Sequence, residues 1–197
     1  MRLSRFPRFL AMILFSILML FSLKSVDAQI VRGNKQQPQS QRQIDERLAR
    51  EFFYKKDYEK ARDIYKSLYD NYGQTSYFNQ YADCLILTGD YNVAEKAIKS
   101  FLRKNPKNWK SHVDLAHVYS QQGDNDKAVK YLNRLIKDVP DNKNSIIEVT
   151  NLLRNKNFNE IAITLFERGA KNPNVGYKFY LEKAYTYNSM LDFENAT

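Results

Sequence analysis

The sequence predicts an all-α protein, an α-solenoid of stacked antiparallel helix pairs. The first reason is composition, since six glycines and five prolines in 197 residues are about half of the usual share. An all-β sandwich or barrel builds its many turns mainly on those residues, so that class is disfavoured. The second reason is a motif that recurs about every 34 residues after residue 42, a period typical of helical repeats.

The N-terminal segment has the pattern of an export signal. Its positive charges stand at Arg2, Arg5 and Arg8. An apolar run over 9–23 follows, and residues 26–28 offer a small-residue cleavage site. This pattern predicts a signal peptide over residues 1–28 and a mature chain that begins near Gln29. The run is shorter than the ~20 residues of a membrane-spanning helix, so a cleaved signal is preferred over a retained anchor or a buried core helix.

The predicted location follows from export without a lipid anchor. No cysteine follows the apolar run, so the lipid-attachment site of a bacterial lipoprotein is absent from the sequence. We therefore expect an exported protein, located in the periplasm of a Gram-negative bacterium, with secretion or membrane anchoring as the alternatives. Contact with the membrane is expected only transiently, through the signal peptide.

Charge and polarity say little about a partner. The formal net charge of +9 includes four basic residues and one acidic residue within 1–28, so the rest of the chain carries +6. This modest excess does not indicate a nucleic-acid partner. Residues 29–41 are polar and rich in glutamine, which predicts a flexible polar leader.

One motif recurs five times from residue 42 onward. Its Asp or Asn positions are Asp57, Asp90, Asp124, Asn157 and Asp192, separated by 33, 34, 33 and 35 residues. The small residues that follow are Ala61, Ala94, Ala128 and Ala196, with Ile161 at this place in the fourth copy. Helix-breaking residues end the first four copies at Gly73, Pro106, Pro140 and Pro173. Aspartate caps the start of a helix, a small residue lets two helices approach, and proline ends a helix.

This pattern resembles the tetratricopeptide repeat, a helix–turn–helix unit of 34 residues. The large and small residues of the family's first helix fall on Leu48-Ala49, Tyr81-Ala82 and Leu115-Ala116, whereas the fourth copy departs with Glu148-Val149. The resemblance covers an array over 42–197, and the implied units are 42–74, 75–108, 109–141, 142–176 and a partial unit over 177–197. It implies a right-handed superhelix whose concave groove is lined by the first helices.

The sequence stops early in the fifth unit. It ends one residue past Ala196, without the polar capping helix that covers the last apolar face of a solenoid. We therefore expect that the sequence is a fragment of a longer protein.

No catalytic or metal-binding pattern stands out in the sequence. His112 and His117 are five residues apart and point in different directions on a helix, unlike paired zinc ligands. Cys84 fits a buried, inert thiol, with a reactive or intermolecularly bonded thiol as the alternative. We therefore expect no enzyme, no metal, no cofactor and no small-molecule substrate.

The resemblance implies a surface for a protein or peptide partner instead. Polar, aromatic and basic residues occupy the positions that face the groove in this family. The candidate partner-binding residues are Arg50, Tyr54, Asn79, Asp83, His117, Gln121, Thr150, Arg154 and Tyr185. The predicted function is a non-catalytic protein–protein interaction scaffold of the bacterial cell envelope that binds a peptide or a partner helix. The alternative is the extracytoplasmic sensor or docking region of a longer signalling or enzymatic protein, truncated at residue 197.

Overall fold

The computed structural model describes residues 39–171, 179–181 and 183–188, and every regular element among them is an α-helix. The helices with defined bounds are α1 Gln39–Tyr54, α2 Tyr58–Tyr72, α3 Thr75–Leu87, α4 Tyr91–Lys104, α5 Trp109–Gln121, α6 Asn125–Asp138, α7 Lys143–Arg154 and α8 Asn159–Ala170. Residues 179–181 and 183–188 are also helical. The chain divides into two compact units, 1–45 and 46–197. The first turns of α1 belong to the first unit, and the rest of α1 and all later helices belong to the second.

The helices form successive antiparallel pairs, α1 with α2, α3 with α4, α5 with α6 and α7 with α8. From α2 to α6 each helix packs on the next one along the chain, and α7 packs on α8. In addition, the first helices α3, α5 and α7 contact one another in order, and the second helices α6 and α8 contact each other. This arrangement of stacked pairs is an α-solenoid, as the sequence predicts.

The same turn joins the two helices in all four pairs. A residue with positive φ ends each first helix, and these residues are Lys56, Gly89, Gly123 and Asn157. The next backbone N–H bonds a carbonyl five residues earlier, from Asp57 to Phe52 at 2.9 Å and from Asp124 to Tyr119 at 3.0 Å. This left-handed cap is a Schellman motif, which satisfies carbonyls that the helix end leaves free. It explains why two of the four turns use glycine, which adopts positive φ without strain.

The repeated turn corrects the predicted register of the fourth pair. The positive-φ residues are spaced by 33, 34 and 34 residues, so Asn157 is the counterpart of Gly123 and not of Asp124. The whole fourth pair is therefore aligned with the other pairs one residue later in the sequence than the motif predicts. Ala162, not Ile161, follows the turn at the place of Ala128, and its side chain is fully buried. The large and small pair of the first helix is likewise Val149-Thr150 rather than Glu148-Val149.

Small buried residues lie where the helices cross. On the second helices these are Ala61, Ala94, Ala128 and Ala162, and each has an exposed fraction of 0%. Around them pack aliphatic and aromatic side chains, including Phe78 and Phe101, whose rings stack at 3.8 Å. Burial of this apolar surface is the main force that stabilises each pair on the next. The core therefore continues from pair to pair.

The ends of the predicted array fall partly outside the described residues. Helix α1 begins at Gln39, three residues before the predicted start of the array at residue 42. The signal peptide, most of the leader, and the motif residues Pro173, Asp192 and Ala196 lie outside the described residues. Phe179 is fully buried and meets Phe166 edge to face at 5.0 Å, so the helix that contains residue 179 packs on the fourth pair.

Candidate functional site

The candidate site is the exposed side of the first helices α1, α3, α5 and α7, which we call the first-helix surface. Of the predicted residues, Arg50 and Tyr54 lie on α1, Asn79 and Asp83 on α3, and His117 and Gln121 on α5. Arg154 ends α7, and Tyr185 lies in the helical residues that follow α8. These positions recur in the same part of successive pairs.

A cavity of about 390 Å³ opens at the N-terminal end of this surface, between α1, α2 and α3. It is lined by aromatic, charged and amide side chains, namely Glu46, Arg50, Phe53, Tyr54, Tyr65, Gln74, Ser76, Tyr77 and Gln80. The lining combines four aromatic rings with five charged or polar side chains, so it offers both ring surface and hydrogen-bonding groups.

Tyr54 is the most exposed large side chain of this cavity, with 82% of its surface accessible. Arg50 lies one turn earlier, and its Nε donates a hydrogen bond to the Glu46 carbonyl at 3.3 Å. The buried Tyr77 hydroxyl donates to the Glu46 carboxylate, which ties α3 to α1. An accessible tyrosine beside an arginine offers a partner both ring surface and hydrogen bonds, the features common at binding hot spots.

A network of ion pairs crosses the middle of the surface. The Lys110 ammonium lies 2.8 Å from a carboxylate oxygen of Asp83 and 2.6 Å from one of Asp114. The Lys156 ammonium lies 3.7 Å from the other oxygen of Asp114. These two lysines and two aspartates come from three consecutive helix pairs. Their charges balance, so the network joins the pairs and offers little net charge to a ligand.

Burial and ion pairing together determine the pKa values of the charged groups in this network. Asp114 is only 2% exposed, and burial raises the pKa of its carboxyl, partly offset by the Lys110 ammonium. Burial works against the Lys110 ammonium as well, but the carboxylates of Asp114 and Asp83 hold the pKa of Lys110 above its ordinary value. Each charge therefore depends on its partner, and removal of one would leave another uncompensated.

His117 lies beside this network and is half-buried. Burial and the nearby Lys156 ammonium lower the pKa of His117 to about 4. The imidazole is therefore neutral near neutral pH, and it can accept or donate a hydrogen bond but brings no charge to the surface. His112 faces a different environment, where its ring nitrogens contact the Tyr131 hydroxyl at 2.5 Å and the Pro106 carbonyl at 2.8 Å.

One predicted site residue does not belong to the surface. Thr150 has an exposed fraction of 0%, and its hydroxyl donates to the Ile146 carbonyl of the same helix at 2.7 Å. The reason is the shifted register, because Thr150 is the counterpart of the small core residue Ala116. The prediction that Thr150 contacts a partner is wrong, and Asn151, which is half-buried, takes the position that corresponds to His117.

The remaining predicted residues are accessible to different degrees. Asn79, Asp83 and Arg154 are half-buried, whereas Gln121 is exposed and accepts a hydrogen bond from the Tyr91 hydroxyl at 3.3 Å. Tyr185 is 54% exposed. Whether these side chains contact a partner stays a prediction.

Three contributors were missed by sequence reasoning. Tyr77 and Gln80 line the cavity, and Asp114 is the buried centre of the ion-pair network. A signal for Asp114 exists, because Lys110 and Asp114 are four residues apart on the same helix, a spacing that places opposite charges side by side.

The remaining reactive groups take structural positions. Cys84 is fully buried, and burial raises the pKa of its thiol to about 12, so the prediction of a buried thiol is confirmed. Within the part of the chain that the structure describes, no three His, Cys, Asp or Glu side chains are grouped as metal ligands. Over the same residues, no helix combines the length and apolarity that a bilayer crossing requires.

Stacked helix pairs with this turn define a helical repeat protein, and comparisons with known proteins agree. Residues 85–146 match the family model described as "Tetratricopeptide repeat". The matched residues include α4, α5 and α6 in full, and the spacing of 33 and 34 residues between the turns agrees with this match. A comparison with curated proteins finds no match.

Solved structures with similar helix arrangements come from several bacteria. The chain is similar to TTC0263, a tetratricopeptide protein of Thermus thermophilus, with 16% identity, 86% of this chain and 94% of that chain covered, and a TM-score of 0.47. It is similar to MamA (41-end) from Desulfovibrio magneticus RS-1, with 13% identity and a TM-score of 0.45. This match covers 79% of this chain and 88% of that chain. It is also similar to a tetratricopeptide repeat protein from Parabacteroides merdae ATCC 43184, with 15% identity and a TM-score of 0.46. This match covers 78% of this chain and 61% of that chain.

Proposed function

We propose that this protein is a non-catalytic scaffold that holds a peptide or a helix of a partner protein on its first-helix surface. The observation that carries the proposal is the cavity between α1, α2 and α3, with the exposed Tyr54 at its edge and Arg50 beside it. The tetratricopeptide fold itself is an interaction scaffold, and an extended surface of first helices suits a chain segment better than a small molecule.

The geometry favours contact that begins at the N-terminal half of this surface. There the side chains offered to a partner are aromatic, and an aromatic anchor contributes a large apolar area at a low entropic cost. Farther along, the ion pairs of Lys110 with Asp83 and Asp114 are already satisfied within the protein. A bound segment would therefore place an apolar side chain near Tyr54 and rest its polar backbone against the central network.

The proposed location is the envelope of a Gram-negative bacterium, and the proposal rests on the export signal in residues 1–28 of the sequence. Cell fractionation tests it, together with N-terminal sequencing of the purified protein. We expect the protein in the periplasmic fraction, with an N-terminus near Gln29. A cytoplasmic protein that keeps Met1 would contradict this location.

The binding proposal is tested by two tyrosine variants of the chain purified after mild crosslinking of intact cells. Tyr54→Ala removes the exposed ring beside the cavity, and Tyr72→Ala removes a 43% exposed ring that is not among the cavity residues. We expect co-purified partner to fall at least about fivefold for Tyr54→Ala, which is the loss of a modest hot spot. Tyr72→Ala is expected to retain partner near the wild-type amount.

Two outcomes would contradict the binding proposal. The first is equal recovery of the same partners by wild type and Tyr54→Ala. The second is an equal loss in both variants, which would indicate a general effect on folding or an interface elsewhere. Far-UV circular dichroism of both variants serves as the folding control, since Tyr54 and Tyr72 are both exposed.

A further inference from the structure

The second helices carry charges that change sign along the array. With the register fixed by the turns, two outer positions recur in each second helix. They hold Asp63 and Asp70 in α2, Lys96 and Arg103 in α4, and Lys130 and Lys137 in α6. All six residues are exposed. The second and third pairs therefore present cations where the first pair presents carboxylates.

These cations differ from those of α2 in having no carboxylate partner. In α2, the Lys60 ammonium lies 2.6 Å from Asp57 and the Lys66 ammonium lies 2.6 Å from Asp70. We define the basic patch as Lys96, Arg103, Lys130, Arg134 and Lys137. Among the described residues, none of the five makes an ion pair, although Arg103 donates to the Ser100 hydroxyl at 3.1 Å. Two exposed carboxylates of α6, Asp126 and Asp138, lie beside the patch. The five cations outnumber them, so the patch is a source of net positive potential on the side opposite to the candidate groove.

An apolar depression borders the patch. It lies between α6 and α8, has a volume of about 740 Å³, and includes the buried Ile136 and Leu165 in its lining. Its other lining residues are polar, and three of them are cations against one carboxylate, namely Asn133, Lys137, Thr164, Glu167, Arg168 and Lys171. A site with an apolar floor and cations at its edge fits an amphiphile that carries an anionic group.

We infer that the basic patch docks the protein on an anionic phospholipid bilayer. Three of the five cations are lysines, which act as mobile point charges rather than as fixed two-pronged donors. The large exposed apolar residues on α4 and α6 are Val93 and Val129, and neither is an aromatic anchor of the kind that a specific protein interface uses. Diffuse charge of this kind suits mobile lipid headgroups. This inference concerns a second surface and does not depend on the proposed partner groove.

The test compares two triple variants of the full chain in vesicle co-sedimentation. The patch variant carries Lys96→Gln, Lys130→Gln and Lys137→Gln. The control carries Lys55→Gln, Lys60→Gln and Lys66→Gln, which removes three exposed lysines that are each paired with a carboxylate at 2.6 Å. The net charge falls equally in both, and the N-terminal apolar segment is the same in all proteins.

The vesicles are phosphatidylcholine alone and phosphatidylcholine with phosphatidylglycerol at a ratio of about 7:3, a composition that supplies the negative surface potential in question. We expect wild type to bind the anionic vesicles more tightly, with a difference that shrinks as salt rises and screens the charges. The patch variant is expected to lose at least about tenfold of this added affinity, and the control at most about threefold.

Three results would overturn the inference. They are equal binding of wild type to the two kinds of vesicle, an equal loss in both triple variants, and binding of poly-L-glutamate but not of anionic vesicles. The last result would assign the patch to an acidic protein. Because Tyr54 lies outside the patch, partner capture by the patch variant reports separately on the proposed function.

Discussion

In this protein, residues from other helices determine the pKa of some side chains and the space available at some positions. His117 is a half-buried residue of a first helix, and burial, together with the Lys156 ammonium of the next pair, lowers the pKa of its imidazole. Gly169 lies in α8, and a β-carbon there would lie 2.7 Å from Ile146 of α7 and 2.7 Å from Phe179 of the following helix. Neither constraint can be derived from the sequence around the residue, because each comes from a helix that lies elsewhere in the chain.

The lowered pKa of His117 predicts a pH-dependent loss of stability. The folded protein holds this pKa at about 4, whereas an unfolded chain has a histidine pKa of about 6.5. The unfolded state therefore takes up the proton first, and stability falls as pH falls from 6.5 toward 4. Between pH 7 and pH 5 wild type should lose about 2 kcal/mol more than His117→Gln, from these two pKa values.

Urea unfolding at both pH values measures this difference. The comparison with His117→Gln is needed because the raised pKa of Asp114 acts in the opposite direction and is present in both proteins. A pH dependence that is the same in the two proteins would show that His117 is not held neutral by burial.

The close approach at Gly169 predicts that Gly169→Ala destabilises the protein. Alanine usually stabilises a helix by about 1 kcal/mol relative to glycine. Here the added methyl meets Ile146 and Phe179, and overpacking of this kind costs about 1–3 kcal/mol. We expect thermal unfolding to show a net loss that Ile146→Val partly restores, because valine lacks the Cδ1 atom in closest contact. A stabilised Gly169→Ala protein would contradict the packing of residue 179 on α8.

At the level of the helix, much of the structure could be predicted from local sequence. Helix pairs, turns and buried alanines follow from the recurring motif, and the first three pairs have the predicted register. The fourth pair was misaligned by one residue because its motif reads Asn157-Phe158, and asparagine resembles the aspartate that caps the other second helices. In the structure Asn157 instead adopts the positive φ of 62°, a conformation that asparagine adopts more often than most other residues with a side chain.

Helix capping provides a prediction at this scale. The Asp124 carboxylate accepts a hydrogen bond from the Lys127 N–H at 3.1 Å, so Asp124→Ala should destabilise the protein by about 1 kcal/mol. Asp124→Asn is the control and should stay close to wild type, because asparagine caps helices equally well. Chemical unfolding measures the free energy of unfolding of the two variants. Equal values for Asp124→Ala and Asp124→Asn would contradict a capping role for the Asp124 carboxylate.

Across the whole molecule, the sequence predicts the architecture better than the surface. The repeat period identifies which side chains lie on the first helices, and Arg50 and Tyr54 do line the N-terminal cavity. The ion-pair network could not be predicted, because it joins residues from three pairs and depends on how far each long side chain reaches. The loss of Thr150 from the surface has a simpler cause, since it follows from the one-residue error in register.

The two sides of the array have different roles in this account. In the proposed function, the first-helix surface would hold a partner segment near the exposed Tyr54, and its central charges are balanced within the protein. In the further inference, the excess cations on the second helices of the middle pairs would dock on an anionic bilayer. A scaffold built in this way would hold a partner close to the membrane, and the two contacts would be separable by mutation.

The most direct measurement of the central claim is site-specific photocrosslinking in living cells. A photoreactive amino acid replaces Tyr54 on the first-helix surface in one strain and Val129, which is 41% exposed on α6, in another. We predict a discrete protein adduct from position 54 and no such adduct from position 129. An absence of any adduct at position 54, or the same adduct from both positions, would contradict the claim that the first-helix surface binds a protein partner.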